Sequence, residues 1–267
     1  MKVGIMGFGK MGSSLISGGI RSGVLKRDEV CIYDLDSERV KFAESEGLSI
    51  AKSLDDVVDS DSLIIAVKPK DLTDLLSSAK ASLIERRPLL ISIVAGIRIE
   101  KLQSMLDDVQ MRIVRVMPNI AASVNEAISA YCTSKSVRKE DLEFINSLLC
   151  GVGKAVFVDN EDELDIITGV SGSGPAYFSL MMGAMEKVAI ERGIERNLAR
   201  MMVAQTCRGA ATMILERGIS PEELIRMVAS PGGTTEEALK VMEERKFSLI
   251  VSDAVSAAIE KSRRINR

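Results

Sequence analysis

The stretch VGIMGFGKMG, residues 3–12, sets Gly7, Gly9 and Gly12 in a G-x-G-x-x-G spacing behind a short apolar run and ahead of an amphipathic segment. The spacing alone is common; its setting carries the weight. A strand, a tight turn and a helix over 10–21 are followed by a second apolar strand, VCIYD, which ends in Asp34 about 20 residues beyond the glycines. In such a unit Gly7 permits the turn, Gly9 lets a pyrophosphate approach the backbone, and Gly12 lets the helix pack on the strand. The helix N-terminus presents unpaired N–H groups and positive potential to phosphates. Three glycines serving only a βα turn is the weaker reading.

Working outward, short apolar runs keep alternating with amphipathic segments: a helix over 37–46, then SLIIAV (62–67), LLISIV (89–94), RIVRV (112–116), AISAYC (127–132) and GKAVFV (153–158). This alternation predicts an α/β unit of parallel strands joined by crossover helices, and continuous apolarity predicts strands covered on both faces. After Asp159 the strand signals stop. Helical periodicity takes over across 175–192, 196–217, 221–228, 235–245 and 248–264. We therefore expect a Rossmann-type, doubly wound dinucleotide-binding domain over 1–159, followed by an all-helical substrate-binding and dimerisation domain over 160–267. The run MMVAQTCRGAATMIL (201–215) is apolar nearly all round and rich in small residues, so it is expected to be buried on most sides. A unit of about a hundred residues offers such a helix few partners, which points to a dimer interface; a central helix in a monomeric bundle is the alternative.

Composition narrows the chemistry. Thirty-five Lys and Arg against 38 Asp and Glu leave a net charge of -3, so no basic surplus exists to hold nucleic acid. The basic tail EKSRRINR reads as the last helical turn complementing the helix dipole. No run approaches the roughly 18 apolar residues of a membrane span. Four scattered cysteines and an opening strand pattern in place of a signal-peptide layout predict a cytoplasmic protein. With no histidine in the chain, imidazole bases, triads and histidine metal sites are excluded, and no metal site is expected.

Asp34 bears on the choice of dinucleotide. A carboxylate at that strand end accepts from ribose hydroxyls and repels a 2′-phosphate, favouring NAD, yet Ser37 and Arg39 stand close enough in sequence to hold that phosphate. Asp34 as a mere cap of the next helix is a further competitor, so the choice stays open. AVKPKD (66–71) closes the fourth strand on the edge where doubly wound sheets collect ligands, with Lys68 beside a helix-starting Pro69.

In order along the chain, GFGKMG, AVKP, SIVAGI, RVMPN, TGVSGSGPAYF and PEELIRMVASPGGTTEEALKVME resemble the pyrroline-5-carboxylate reductase family over essentially the whole length. The last motif is the most specific. The resemblance implies hydride transfer from NADPH or NADH to the C=N carbon of 1-pyrroline-5-carboxylate, giving L-proline, by a homodimer or an assembly of dimers. Carried over by motif, Met6, Gly7, Phe8, Gly9, Lys10, Met11 and Gly12 would form the diphosphate loop, and Asp34 and Ser53 would lie near the adenosine ribose. Ala66, Val67, Lys68, Pro69, Ile93, Val94 and Ala95 would line the nicotinamide side. Ser230, Gly232, Gly233, Thr234 and Thr235 would hold the substrate.

That last segment interrupts a tail of good helix formers with PGGTT (231–235). Successive backbone N–H groups entering a helix make a cradle for a carboxylate, and the Thr235 hydroxyl, or less readily that of Thr234, would meet the ring nitrogen. An ordinary turn accounts for Pro231 and one threonine but leaves the double glycine unexplained. A protonated imine is already an electrophile, so no histidine acid is required, and positioning is expected to dominate. Other readings are another NAD(P)-dependent imine reductase and a catalytically silent nucleotide-binding paralogue.

Overall fold

The computed structural model describes residues 1–265; the last two residues of the tail EKSRRINR lie outside the described residues. In chain order the elements are β1 (Val3–Met6), α1 (Lys10–Arg21), β2 (Val30–Tyr33), α2 (Ser37–Ser45), β3 (Ser49–Ile50), α3 (Leu54–Val58), β4 (Ser62–Ile65), α4 (Pro69–Arg86) and β5 (Leu89–Ser92). They continue with α5 (Ile99–Leu106), β6 (Ile113–Met117), β7 (Ala127–Thr133), α6 (Lys139–Gly151), β8 (Gly153–Phe157) and α7 (Glu163–Ile167). The last five are α8 (Gly174–Glu191), α9 (Arg196–Arg217), α10 (Pro221–Val228), α11 (Thr234–Glu244) and α12 (Phe247–Ile265).

The eight strands form one sheet in the order β3-β2-β1-β4-β5-β6-β7-β8. The chain winds outward from β1 through β2 to β3, then returns to place β4 on the other side of β1, so the winding reverses between β1 and β4. Ligands of open α/β sheets bind at the carboxyl ends of strands flanking such a reversal.

Alternate residues of the inner strands feed two cores, one on each face. Ile5, Ile32, Ile64, Ile91 and Val114 point to the face covered by α1 and α6, with Leu15, Ile16 and Leu148 packed on them. Met6, Leu63, Ile65, Leu90 and Ile113 point to the other face. There α4 supplies Leu72, Leu76, Ala79 and Leu83 at helical spacing, and α5 supplies Leu102 and Leu106.

Three sequence expectations are corrected. The sheet is not wholly parallel: β7 runs antiparallel to β6. Residues 118–126 hold only a short 3₁₀ turn, Ile120–Val124, and a parallel crossover needs a dozen or more residues. The edge strand β8 is not covered on both faces, for Val156 and Phe157 are exposed. The third falls on the alternative of a monomeric bundle with α9 at its centre, since that helix is not buried within the chain. Ala199 is its only buried residue, and Met201, Met202 and Leu215 are 61%, 49% and 66% exposed.

Two compact units result. The first runs to Ser173 and takes in the chain again from Ala258, where the sequence places a single boundary after 159. Past 159 the chain is still tied to this unit by buried Leu164 and by a π-helical turn, Thr168–Gly172. The end of α12 packs on the same unit: Ile259 lies against Gly169 and Ile265 against Gly96. Ser262 donates a 2.6 Å hydrogen bond to Asp165, both buried. Around Asp165 stand Arg98 and Arg115, each 4.0 Å away, and Arg115 also pairs with Glu161 at 2.8 Å. The second unit, Gly174–Ala257, is entirely helical. No helix among the described residues is long and apolar enough to cross a membrane.

Removing a donor from a buried carboxylate costs on the order of 1–3 kcal/mol. Ser262→Ala is therefore expected to lower the free energy of unfolding by about that amount, read as a lower urea midpoint at unchanged m. An unaltered midpoint would show that the Ser262–Asp165 hydrogen bond contributes nothing to stability.

Candidate functional site

At the carboxyl end of β1 the chain turns through Gly7, whose φ of +94° lies where side chains are strained. Its N–H donates to the Tyr33 carbonyl at 2.8 Å, tying the turn to β2. A Cβ there would stand 2.8 Å from the Ala66 carbonyl oxygen, so β1 and β4 close on each other at this point. A Cβ on Gly12 would lie 2.6 Å from the Gly7 carbonyl oxygen, which is why α1 can start so near the strand. Gly9 is the N-cap of this 12-residue helix and has no side chain to cap it. The first N–H groups of α1 have no acceptor one turn back and are left to an incoming phosphate. The donor set fits a dinucleotide: backbone amides at a helix N-terminus without a side-chain cap suit a diphosphate.

Asp34 joins the glycine loop to the next turn. One carboxylate oxygen accepts the Phe8 N–H at 2.5 Å and the other the Asp36 N–H at 2.9 Å. It does not cap α2; that cap is Asp36, which accepts the Glu38 N–H at 3.0 Å and pairs with the Arg39 guanidinium at 3.2 Å. Arg39 also leans over the loop, with its Nη1 2.5 Å from where a Gly9 Cβ would be. Phe8 points inward, 2% exposed, its ring 6.0 Å from that of Phe42.

These groups open on a cleft of about 470 Å3 that the structure builds from Met6, Gly7, Asp34, Ala66, Val67 and Lys68 of the expected residues. Lys68 is the N-cap of α4 and Pro69 its first residue. Ser53 does not line the cleft; its hydroxyl accepts the Asp56 N–H at 3.2 Å as the cap of α3, and the neighbouring Leu54 faces the cleft instead. Ile93 and Val94 have their side chains in the two cores, which leaves Ala95 as the exposed member of that loop. Sequence reading missed Asp71, Leu75 and Ser78, which form the opposite wall. Their recurrence at helical spacing after Pro69 was the available signal.

In the helical unit, Ser220 and Glu223 form a reciprocal capping box that fixes where α10 begins. Beyond α10, the Gly233 N–H donates to the Ser230 carbonyl at 2.9 Å, closing a turn with Pro231 and Gly232 at its centre. Gly232 has φ +69°, as the third position of a type II turn requires. A Cβ on Gly233 would strike the Ser230 hydroxyl at 2.5 Å. The turn thus uses both glycines, correcting the expectation that a turn leaves them unexplained. The Gly232 N–H is also committed, to the Glu236 carboxylate at 2.7 Å. The open donors are those of the first turn of α11, at Thr234 and Thr235, behind an N-cap without a side chain.

Comparison with known proteins places both units. Residues 161–265 match the family described as pyrroline-5-carboxylate reductase dimerisation, and residues 2–96 match NADP oxidoreductase, coenzyme F420-dependent. The pyrroline-5-carboxylate reductase of Methanosarcina acetivorans is 39% identical across 100% of this chain and 98% of its own length. That of Arabidopsis thaliana is 36% identical across 100% and 96%. Among solved structures, the Plasmodium falciparum pyrroline carboxylate reductase, crystallised with NADP bound, superposes with a TM-score of 0.91 at 31% identity, covering 100% of this chain and 98% of its own.

Gly12→Val is expected to weaken dinucleotide binding tenfold or more while leaving the circular dichroism spectrum unchanged, measured by the fluorescence of NADH titrated with protein. Full retention of affinity would dissociate the glycine cradle from the nucleotide. A dinucleotide cradle at the winding reversal, a dimerisation unit, and full-length identity of 36–39% to these two enzymes converge: the chain belongs to the pyrroline-5-carboxylate reductase family.

Proposed function

We propose that this protein reduces 1-pyrroline-5-carboxylate to L-proline with NADH or NADPH. The observation that carries it is that likeness to a pyrroline-5-carboxylate reductase covers 100% of the chain, at 39% identity. A dinucleotide bound there would supply a hydride to the C=N carbon of the protonated imine, whose ring nitrogen keeps its proton and becomes the secondary amine.

The chain's own part is to bind and to orient. The first-turn N–H groups of α1, with Gly7, Gly9 and Gly12 clearing the approach, hold the diphosphate; Asp34 stands at the adenosine ribose, and Lys68 and Ala95 stand on the nicotinamide side. The first-turn amides of α11, at Thr234 and Thr235, hold the substrate carboxylate, and the Ser230–Gly233 turn presents them. The Thr235 hydroxyl orients the ring nitrogen. Alignment of donor and acceptor by such contacts is worth on the order of 7–11 kcal/mol of barrier, enough to explain catalysis in a chain without histidine.

The division of labour follows the two units: nucleotide binding in the sheet-containing one, substrate binding and self-association in the helical one. Met201, Met202 and Leu215 on α9, with Phe178 and Leu180 on α8, leave apolar faces bare in a single chain. Burying them against a second copy stabilises at roughly 25 cal/mol per Å2. A homodimer, or an assembly of dimers, working in the cytoplasm is the form proposed.

Purified protein supplied with 1-pyrroline-5-carboxylate and either nucleotide is expected to consume nicotinamide absorbance and form proline; no proline with either one overturns the reading. Thr235→Ala is expected to lower kcat/KM by about one to two powers of ten, the size of a lost polar contact in a dry site. Met201→Glu, which buries a charge in the proposed interface, is expected to shift the sedimenting species to a monomer.

A further inference from the structure

We propose that this chain prefers NADH over NADPH, and that Asp34 and Asp36 together set the preference; the catalytic part of this inference rests on the reductase reading above. Both carboxylates sit just past the end of β2, where the adenosine ribose of a dinucleotide comes to rest. Asp34 is half-buried and held on both oxygens, and Asp36, on the surface, is held as the cap of α2. Asp34 holds the Phe8 and Asp36 N–H groups, at 2.5 and 2.9 Å, one on each oxygen. Asp36 holds the Glu38 N–H and the Arg39 guanidinium, at 3.0 and 3.2 Å, again one on each. Each carboxylate oxygen has a second acceptor direction left. A ribose 2′-hydroxyl can donate into it; a 2′-phosphate, with a charge of about −1.5 to −2 and no such proton to give, meets fixed negative charge.

The cations of the cleft do not reverse this. Arg39 is the one cation that α2 brings to the cleft, and it is already paired with Asp36. Between the two aspartates Leu35 stands 88% exposed and offers no donor to a phosphate. On the opposite wall α4 presents Asp71 and Asp74, so the lining carries four carboxylates against Arg39 and Lys68.

Nucleotide binding without substrate tests this independently of turnover. Titration of the full-length protein, followed by nicotinamide fluorescence, is expected to give a Kd for NADH at least tenfold below that for NADPH. Asp36→Ser keeps a capping oxygen for α2 while removing the charge and releasing Arg39. It is expected to move the NADPH-to-NADH Kd ratio at least tenfold toward NADPH, and adding Arg39→Ala to cancel that gain. Equal or tighter binding of NADPH by the unaltered protein overturns the proposal. So does a selective tenfold loss of NADPH affinity in the single variant Arg39→Ala, which would mean that Arg39 leaves Asp36 for the phosphate. Steady-state kcat/KM with each nucleotide must show the same order. Preferential NADH binding without proline formation sustains the nucleotide inference while removing the reductase reading.

Discussion

The sheet-containing unit depends on the contact at Gly7, where the end of β1 closes to within a carbonyl's reach of Ala66 at the end of β4. Because the winding reverses between these two strands, this is where connecting helices diverge to opposite faces and leave a crevice. A side chain at Gly7 or Gly12 would displace the turn or the start of α1 locally and move the α1 amides away from any phosphate. The same closeness brings Tyr33 and Asp34 to the turn from β2, so one backbone bond and one carboxylate hold the loop in place. Local glycine chemistry and sheet topology act on the same few atoms.

A second constraint reaches this site from the far end of the sequence. Ile265 packs against Gly96, the residue after Ala95, and Ser262 is tied to Asp165 within a buried cluster of charges. The loop following β5 is therefore shaped by side chains more than 160 positions downstream. Burying Asp165 and Arg115 is expensive unless each is paired and hydrogen-bonded, and the cluster supplies those partners. Such an arrangement favours one seating of the terminal helix over neighbouring ones, since a shift along its axis would part Ser262 from Asp165.

The helical unit shows the opposite balance. Its helices have caps and regular lengths but almost no buried side chains of their own. Secondary structure there is set by local signals, such as Ser220 with Glu223 and Gly218 at the end of α9, while the apolar faces that would pay the entropy of folding find too few partners in one chain. Self-association is the physical complement of that deficit, and it is the property for which the matching family model is described.

Much of this was legible in the residues. Strands at 3–6, 30–33 and 62–65 and helices at 10–21 and 196–217 follow from runs whose apolar period matches the element. The glycine spacing was legible because the strand-turn-helix unit that needs it is local, although the atom that crowds Gly7 is the Ala66 carbonyl of a distant strand end. The direction of β7 was also within reach, in the shortness of the link that precedes it. What tertiary structure alone decided was the choice of partners for groups far apart in the chain: Asp34 for the Phe8 amide, Arg115 for Glu161, Ser262 for Asp165. The reason is that periodicity records only which face of an element avoids water. A donor or acceptor is satisfied by whichever complementary group the packed chain brings within 3 Å or so, and that proximity comes into being only when the elements assemble.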